Sequence, residues 1–194
     1  MTNAATLAPQ PARKRDADAT RAAILAAAKK HFVRSGYDGA FLRDIAADAG
    51  ADAALINRYF GGKEGLFQAA LKDSIAPDAI SHWDRATFGR EVAKMMAGHA
   101  HQHVERTHAF EFLLQAATNP ATAPLLSVAV QERFMGPIRN WIGGENVEAR
   151  ARLLASIFIG LLVERLIRDE ALEGAERDAF IEHTASVLQT LVDQ

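Results

Sequence analysis

Asn57 and Arg58 stand side by side in AALINRYF, residues 53–60. An amide and a guanidinium are the side chains that pair bidentately with adenine and guanine edges, and either can hold a phosphate instead. Ala53 and Ala54, just upstream, allow close approach and suit contact with thymine methyls. A second constellation is His99, His101, His103 and His108. His99 and His103 are four apart and share a helix face, a spacing usable by a metal ion, with Glu105 or Glu111 as the nearby carboxylates. The plainer reading is that this pair lines a pocket or a helix interface, and no metal is expected. There is no nucleophile motif, phosphate-cradling loop or paired-carboxylate pattern, so neither enzymatic activity nor a cofactor is expected.

Asn57 and Arg58 belong to the stretch Phe41 to Phe60, FLRDIAADAGADAALINRYF. Leu42, Ile45, Ala46 and Ala49 form one face of a short helix. Gly50 sits at the C′ position, where a left-handed backbone costs glycine little. Asp52 follows as an N-cap for a second short helix carrying Leu55, Ile56, Tyr59 and Phe60, which Gly61-Gly62 ends. Two short helices joined by a glycine turn make a helix-turn-helix. Neither is stable alone in water, so a third helix must bury them, and Arg21 to Ser35 supplies it. In such a motif the second helix enters the major groove with its N-terminal part. Arg43 then projects from the first toward the backbone or a base edge.

The chain here resembles the DNA-binding region of TetR-type transcriptional regulators over residues 20–71. The matching elements are Ile24, Leu25, Ala28, Phe32 and Gly36-Tyr37, then Arg43-Asp44-Ile45-Ala46, Ala49-Gly50, Tyr59-Phe60 and Lys63-Glu64-Gly65-Leu66-Phe67. The resemblance implies an all-α protein. Its N-terminal three-helix DNA-binding domain would be followed by a C-terminal helical ligand-binding and dimerisation domain. It implies a repressor that leaves its double-stranded DNA operator when a small-molecule effector binds, with helix four linking the two parts. Lys63 matches a position that contacts the DNA backbone. Tyr59 matches another, where packing and phosphate contact are both open. Members usually carry Ser or Thr where Phe41 stands, and an aromatic or histidine pair where Asn57-Arg58 stands. The alternative function is a helical ligand-binding protein or enzyme with a metal site at His99 and His103.

Bulk properties agree with a globular protein. The chain has 194 residues, 49% hydrophobic and 24% charged, with no cysteine, which excludes disulfides and thiolate metal sites. No apolar run reaches a membrane span and no signal peptide is visible, so a cytoplasmic protein with no membrane partner is expected. Through Asp73 eleven basic residues face eight acidic ones, a net of +3, and the remaining eleven and sixteen leave −5. A basic end on an acidic body suits phosphate binding, although +3 is also within ordinary variation. Residues 1–17, with Pro9 and Pro11, read as a disordered tail whose Arg13-Lys14-Arg15 either reaches DNA or is solvated.

The DNA-binding domain is expected over 18–74, with its motif at 41–60, and the regulatory body over 75–194. Helix one should run from Asp18 or Thr20 to Ser35, with Tyr37 packing back on the bundle, and helix four from Lys63 to Ser74. After a linker at Asp73–His82, helices are expected at Trp83–Glu105, Thr107–Thr118, Thr122–Ile142, Val147–Ala171 and Ala175–Val192. Pro137 should kink or end the third of these. Phe88, Val92, Met95 and His99 form one stripe, and Phe110, Leu113, Phe134 and Phe158 could face it. This is core by default, and the resemblance makes it a candidate ligand pocket. The penultimate helix is apolar on more than one face, through Leu153, Leu154, Ile157, Phe158, Leu161, Leu162 and Leu166, with Gly160 permitting close approach. Phe180, Thr184, Val187, Leu188 and Leu191 stripe the last helix. Surplus apolar faces point to a homodimer through a four-helix interface, built on Ile157, Gly160, Leu161 and the last helix's stripe.

Overall fold

The computed structural model describes residues 12–75, 83–99, 104–168 and 170–193. The chain divides into two compact units, Met1–Ala70 and Leu71–Gln194. Among the described residues the regular structure is helical throughout. No described helix is long and apolar enough to cross a membrane.

The first unit holds α1 (Ala12–Gly39), α2 (Leu42–Asp48), α3 (Ala53–Phe60) and most of α4 (Lys63–Ser74). α1 begins at Ala12, ahead of the expected Asp18 or Thr20, so residues 12–17 are helical where a tail was expected. Thr20 does not cap the helix: its hydroxyl donates to the Asp16 carbonyl at 2.8 Å, the back-bond of a threonine already inside one. The Arg, Lys and Ala that precede it are good helix formers. Helical geometry breaks at Gly36 (φ 67, ψ −178), a backbone that favours glycine. The break swings Tyr37 back onto Phe32 and Phe67, with ring centroids 6.3 and 4.9 Å away. Ile24, Ala28 and Phe32 of α1 meet Ile45 and Ala46 of α2, Ile56 of α3 and Leu66 of α4 in a core with almost no exposure. His31, 5% exposed, adds a polar tie, with its Nε2 2.6 Å from an Asp48 carboxylate oxygen at the end of α2.

The second unit holds α5 (Phe88–Ala97), α6 (Val104–Thr118), α7 (Ala123–Val130), a π-turn (Gln131–Met135), α8 (Gly136–Ile142), α9 (Val147–Arg168) and α10 (Gly174–Asp193). The helix expected over Trp83–Glu105 is not one element. Asp84 opens a turn, accepting from the Ala86 amide on its side chain and from Thr87 on its carbonyl, and Gly98 leaves the helix in an extended conformation. Glu105 belongs to α6, and His101 and His103 lie outside the described residues. Pro137 was expected to kink or end the helix over Thr122–Ile142; it does not end the helical run, which continues to Ile142 because a π-turn precedes the proline. Gly136 N–H reaches back to the Gln131 carbonyl, and this widening accommodates the proline ring where an α-turn would clash. α9 is described to Arg168, and Ala171, the expected end, lies outside the helix.

Phe88, Val92 and Met96 of α5 bury against Ile138, Leu154, Leu188 and Val192. Two arginines close the C-terminal ends of α8 and α10. Buried Arg150 donates to the carbonyls of Gly143, Glu145, Leu191 and Val192 at 2.8–3.1 Å. Arg85 donates to those of Trp141, Ile142 and Val192. Carbonyls at helix ends lack helical partners and carry the negative end of the dipole, so a guanidinium fits there without a carboxylate.

α5 lies so close to α10 that a Cβ on Gly89 would stand 2.4 Å from the Ala185 carbonyl oxygen. The Gly89 amide also donates to the Gln189 side chain at 3.0 Å. Gly89→Ala must therefore force these helices apart. Urea unfolding should show a loss of about 1–3 kcal/mol, and an unchanged midpoint would contradict this packing.

Candidate nucleic-acid interface

α3 is built by its two ends. Asp52 adopts the extended N-cap conformation, and its carboxylate accepts from the Ala54 amide at 2.7 Å. Such a cap contributes about 1 kcal/mol, a large share for a helix this short. At the other end Gly61 (φ 78) turns left-handed and donates to the Asn57 carbonyl. The turn between α2 and α3 is a Schellman arrangement: Gly50 (φ 62) donates to the Ala47 carbonyl and Ala51 to that of Ala46. α4 starts against the end of α3, where a Cβ on Gly65 would overlap the Phe60 carbonyl oxygen at 1.7 Å. Glycine alone fits there.

The helix is amphipathic in the required sense. Ile56 is fully buried rather than partly, Leu55 and Ala53 are half-buried, and Ala54, Asn57 and Arg58 are exposed. Arg43 is exposed on α2, and neither Arg43 nor Arg58 is engaged in an ion pair among the described residues. Tyr59 is half-buried and edge-on to Phe60 at 6.5 Å. Lys63 is held in place: its ammonium lies 5.0 Å from the Tyr37 ring centroid and donates to the Asp38 carbonyl at 3.2 Å. Burial, and then the carboxylates of Glu64 and Asp38, push the Tyr37 phenol above its ordinary pKa, so that ring stays neutral under the cation. Arg21 of α1 lies 5.3 Å from the Phe60 ring centroid and braces the end of α3. No local pattern announces Arg21, because the pairing spans the whole motif.

In the body, five of the eight expected pocket residues join one cluster. Phe88 and Val92 are buried in it, and Met95, Phe134 and Phe158 pack against it. Trp83 and Trp141, which the sequence reading passed over, are central. Trp83 lies 4.8 Å from Phe88 and 6.3 Å from Phe158, and Trp141 lies 5.0 Å from Phe88. Phe110 and Leu113 are half-buried on α6 and do not join this cluster, and His99 is exposed beyond Gly98. A separate cleft of about 230 Å³ runs between α5 and α10, lined by Ala86, Arg90, Glu182, Ala185, Ser186 and Gln189. Among the described residues no three His, Asp or Glu side chains are placed to hold a metal ion.

Of the expected interface residues, Leu188 is corrected. It has no exposure within a single chain and belongs to the body's own core. Ile157, Leu161, Phe180, Thr184 and Leu191 are half-buried. Val187 is 53% exposed, and on α9 Leu153, Ile159 and Ile167 are exposed beside Gly160, around which there is open space.

Residues 24–70 match the family model for bacterial regulatory proteins of the tetR family, and residues 86–192 match the tetracyclin repressor-like C-terminal domain. The HTH-type transcriptional repressor SCO4008 of Streptomyces coelicolor is 43% identical over 67 residues, 34% of this chain. That match spans 35% of the relative, about a third of its length. The crystal structure of the TetR-family regulator SCO0857 from Streptomyces coelicolor is 26% identical with a TM-score of 0.53, covering 97% of this chain and all of that one. The multidrug binding protein EbrR complexed with malachite green is 19% identical with a TM-score of 0.62, over 90% of this chain and 98% of that one, a likeness of fold alone. With one model matching the DNA-binding unit and the other more than half of the chain, this protein belongs to the TetR family of transcriptional regulators.

Proposed function

We propose that this protein is a repressor that binds a two-fold symmetric DNA operator as a homodimer and is released by a small-molecule effector. The observation that carries the reading is α3: a capped helix, fixed by Ile56, that turns Ala54, Asn57 and Arg58 to solvent on a unit with excess positive charge. Arg58 or Asn57 reads base edges, while Lys63, Arg43 and Tyr59 hold the backbone and Ala53 and Ala54 allow close approach. Arg58→Ala should weaken specific binding by about 1–3 kcal/mol and relax one base position, whereas Lys63→Ala should weaken all sequences and lower the salt slope by about one unit. Equal loss on every sequence would make Arg58 a phosphate contact, and an unchanged slope would remove Lys63 from the backbone.

The effector reading is supported by the aromatic cluster of Trp83, Phe88, Trp141 and Phe158, and by the dye bound to EbrR. Aromatic surroundings suit an apolar or planar ligand. A ligand changes operator affinity only by binding the DNA-competent and released forms unequally. Titrating a ligand that quenches the tryptophans should therefore lower operator affinity, and an affinity that stays constant at ligand saturation would refute induction by that ligand.

Pairing is supported by the exposed apolar residues of α9 and α10, which one chain leaves in water. Two heads on one duplex need half-sites about 34–36 Å apart. Val187→Glu changes a residue already exposed in the monomer, so it should leave the helical content intact, halve the mass seen by light scattering and reduce operator binding. A variant that stays dimeric would move the interface elsewhere.

A further inference from the structure

Phe41 is 65% exposed, and among the described residues of the first unit no other large hydrophobic side chain stands so far out. Its backbone is well used. It adopts the extended N-cap conformation of α2 (φ −101, ψ 134), and its carbonyl accepts from Asp44 and Ile45 at 3.1 Å. Its side chain caps nothing, and among the described residues its ring pairs with no other aromatic ring. The unit has a packed aromatic core in Phe32, Tyr37 and Phe67, and Phe41 is outside it.

Position supplies the occupant. Phe41 starts the first helix of the helix-turn-helix, the helix that crosses the DNA backbone while α3 enters the groove. Arg43, two residues on, is exposed beside it. An exposed ring next to an exposed guanidinium, continuous with the reading helix, suits a duplex edge that is anionic at the phosphates and apolar at deoxyribose carbons and thymine methyls. We infer that Phe41 is a DNA contact of the apolar kind, packing its ring on the C–H surface of the duplex at the rim of the major groove. This rests on the operator-binding reading above. An apolar contact displaces water and no counterion, so it adds affinity that salt does not screen.

The test uses the full-length protein and a duplex that it selects from a random pool. Phe41→Ala should bind roughly tenfold more weakly with an unchanged dependence on salt, whereas Arg43→Ala should flatten that dependence by about one unit. Phe41→Leu, which keeps apolar surface, should recover most of the loss. Replacing single thymines by uracil separates the two sources. A loss for the wild type that Phe41→Ala does not share assigns the ring to a methyl, and no effect at any thymine assigns it to the sugar face. Wild-type affinity in Phe41→Ala, a fall in thermal midpoint that accounts for the loss, or a change in oligomeric mass would overturn the inference. Failure of the wild type to select any duplex would instead remove the operator-binding reading itself.

Discussion

A helix of eight residues does not hold its shape in water, so α3 exists only while Ile56 stays buried beneath it. Everything else in the first unit follows from that constraint. α1 supplies the floor through Ile24, Ala28 and Phe32, and α2 brings Ile45 and Ala46 to the same core. Asp52 and Gly61 close the two ends, and Gly65 lets α4 start where any side chain would strike the Phe60 carbonyl. His31 and Asp48 tie α1 to the end of α2, fixing the platform from which the glycine turn departs. The exposed side chains then inherit their positions from a buried framework. This is how a short motif can hold an amide and a guanidinium out to solvent in fixed positions.

The body solves a different problem. Its long helices bury apolar stripes easily, and the cost lies at their ends, where carbonyls lack partners. Arg150 and Arg85 meet that cost at α8 and α10, while Arg168 and the Leu172 amide do so at the end of α5. With the ends closed, the surplus apolar surface is left on the outer faces of α9 and α10. The charged caps lie inside the chain, while Leu153, Ile159, Ile167 and Val187 remain exposed outside it.

Legibility in the sequence followed contact distance. Gly50, Asp52 and Gly61 could be assigned from type and spacing because each acts within a few residues of itself. The stripe of α1 and the break at Gly36 were legible for the same reason. The start of α1 was less legible: both expected starts, Asp18 and Thr20, lie inside the helix, where the Thr20 hydroxyl is spent on the Asp16 carbonyl. The expected single helix over Trp83–Glu105 failed because helical spacing ran on through Gly98, a glycine that helices tolerate at modest cost. Trp83, Trp141 and Arg150 act across the body, Arg150 reaching a carbonyl 41 residues away, so nothing local announces them. Leu188 lies on the same stripe as Val187's neighbours, and a stripe alone does not say which neighbour it faces.

The reading of DNA by the exposed side of α3 is open to direct measurement. The most direct measurement is selection of bound fragments from a genomic pool by the purified protein, repeated at two salt concentrations. Enrichment of one inverted repeat is expected, with half-sites a helical turn or more apart and affinity that falls as salt rises. Recovery of fragments with no shared sequence, or of none above background at low salt, would contradict it.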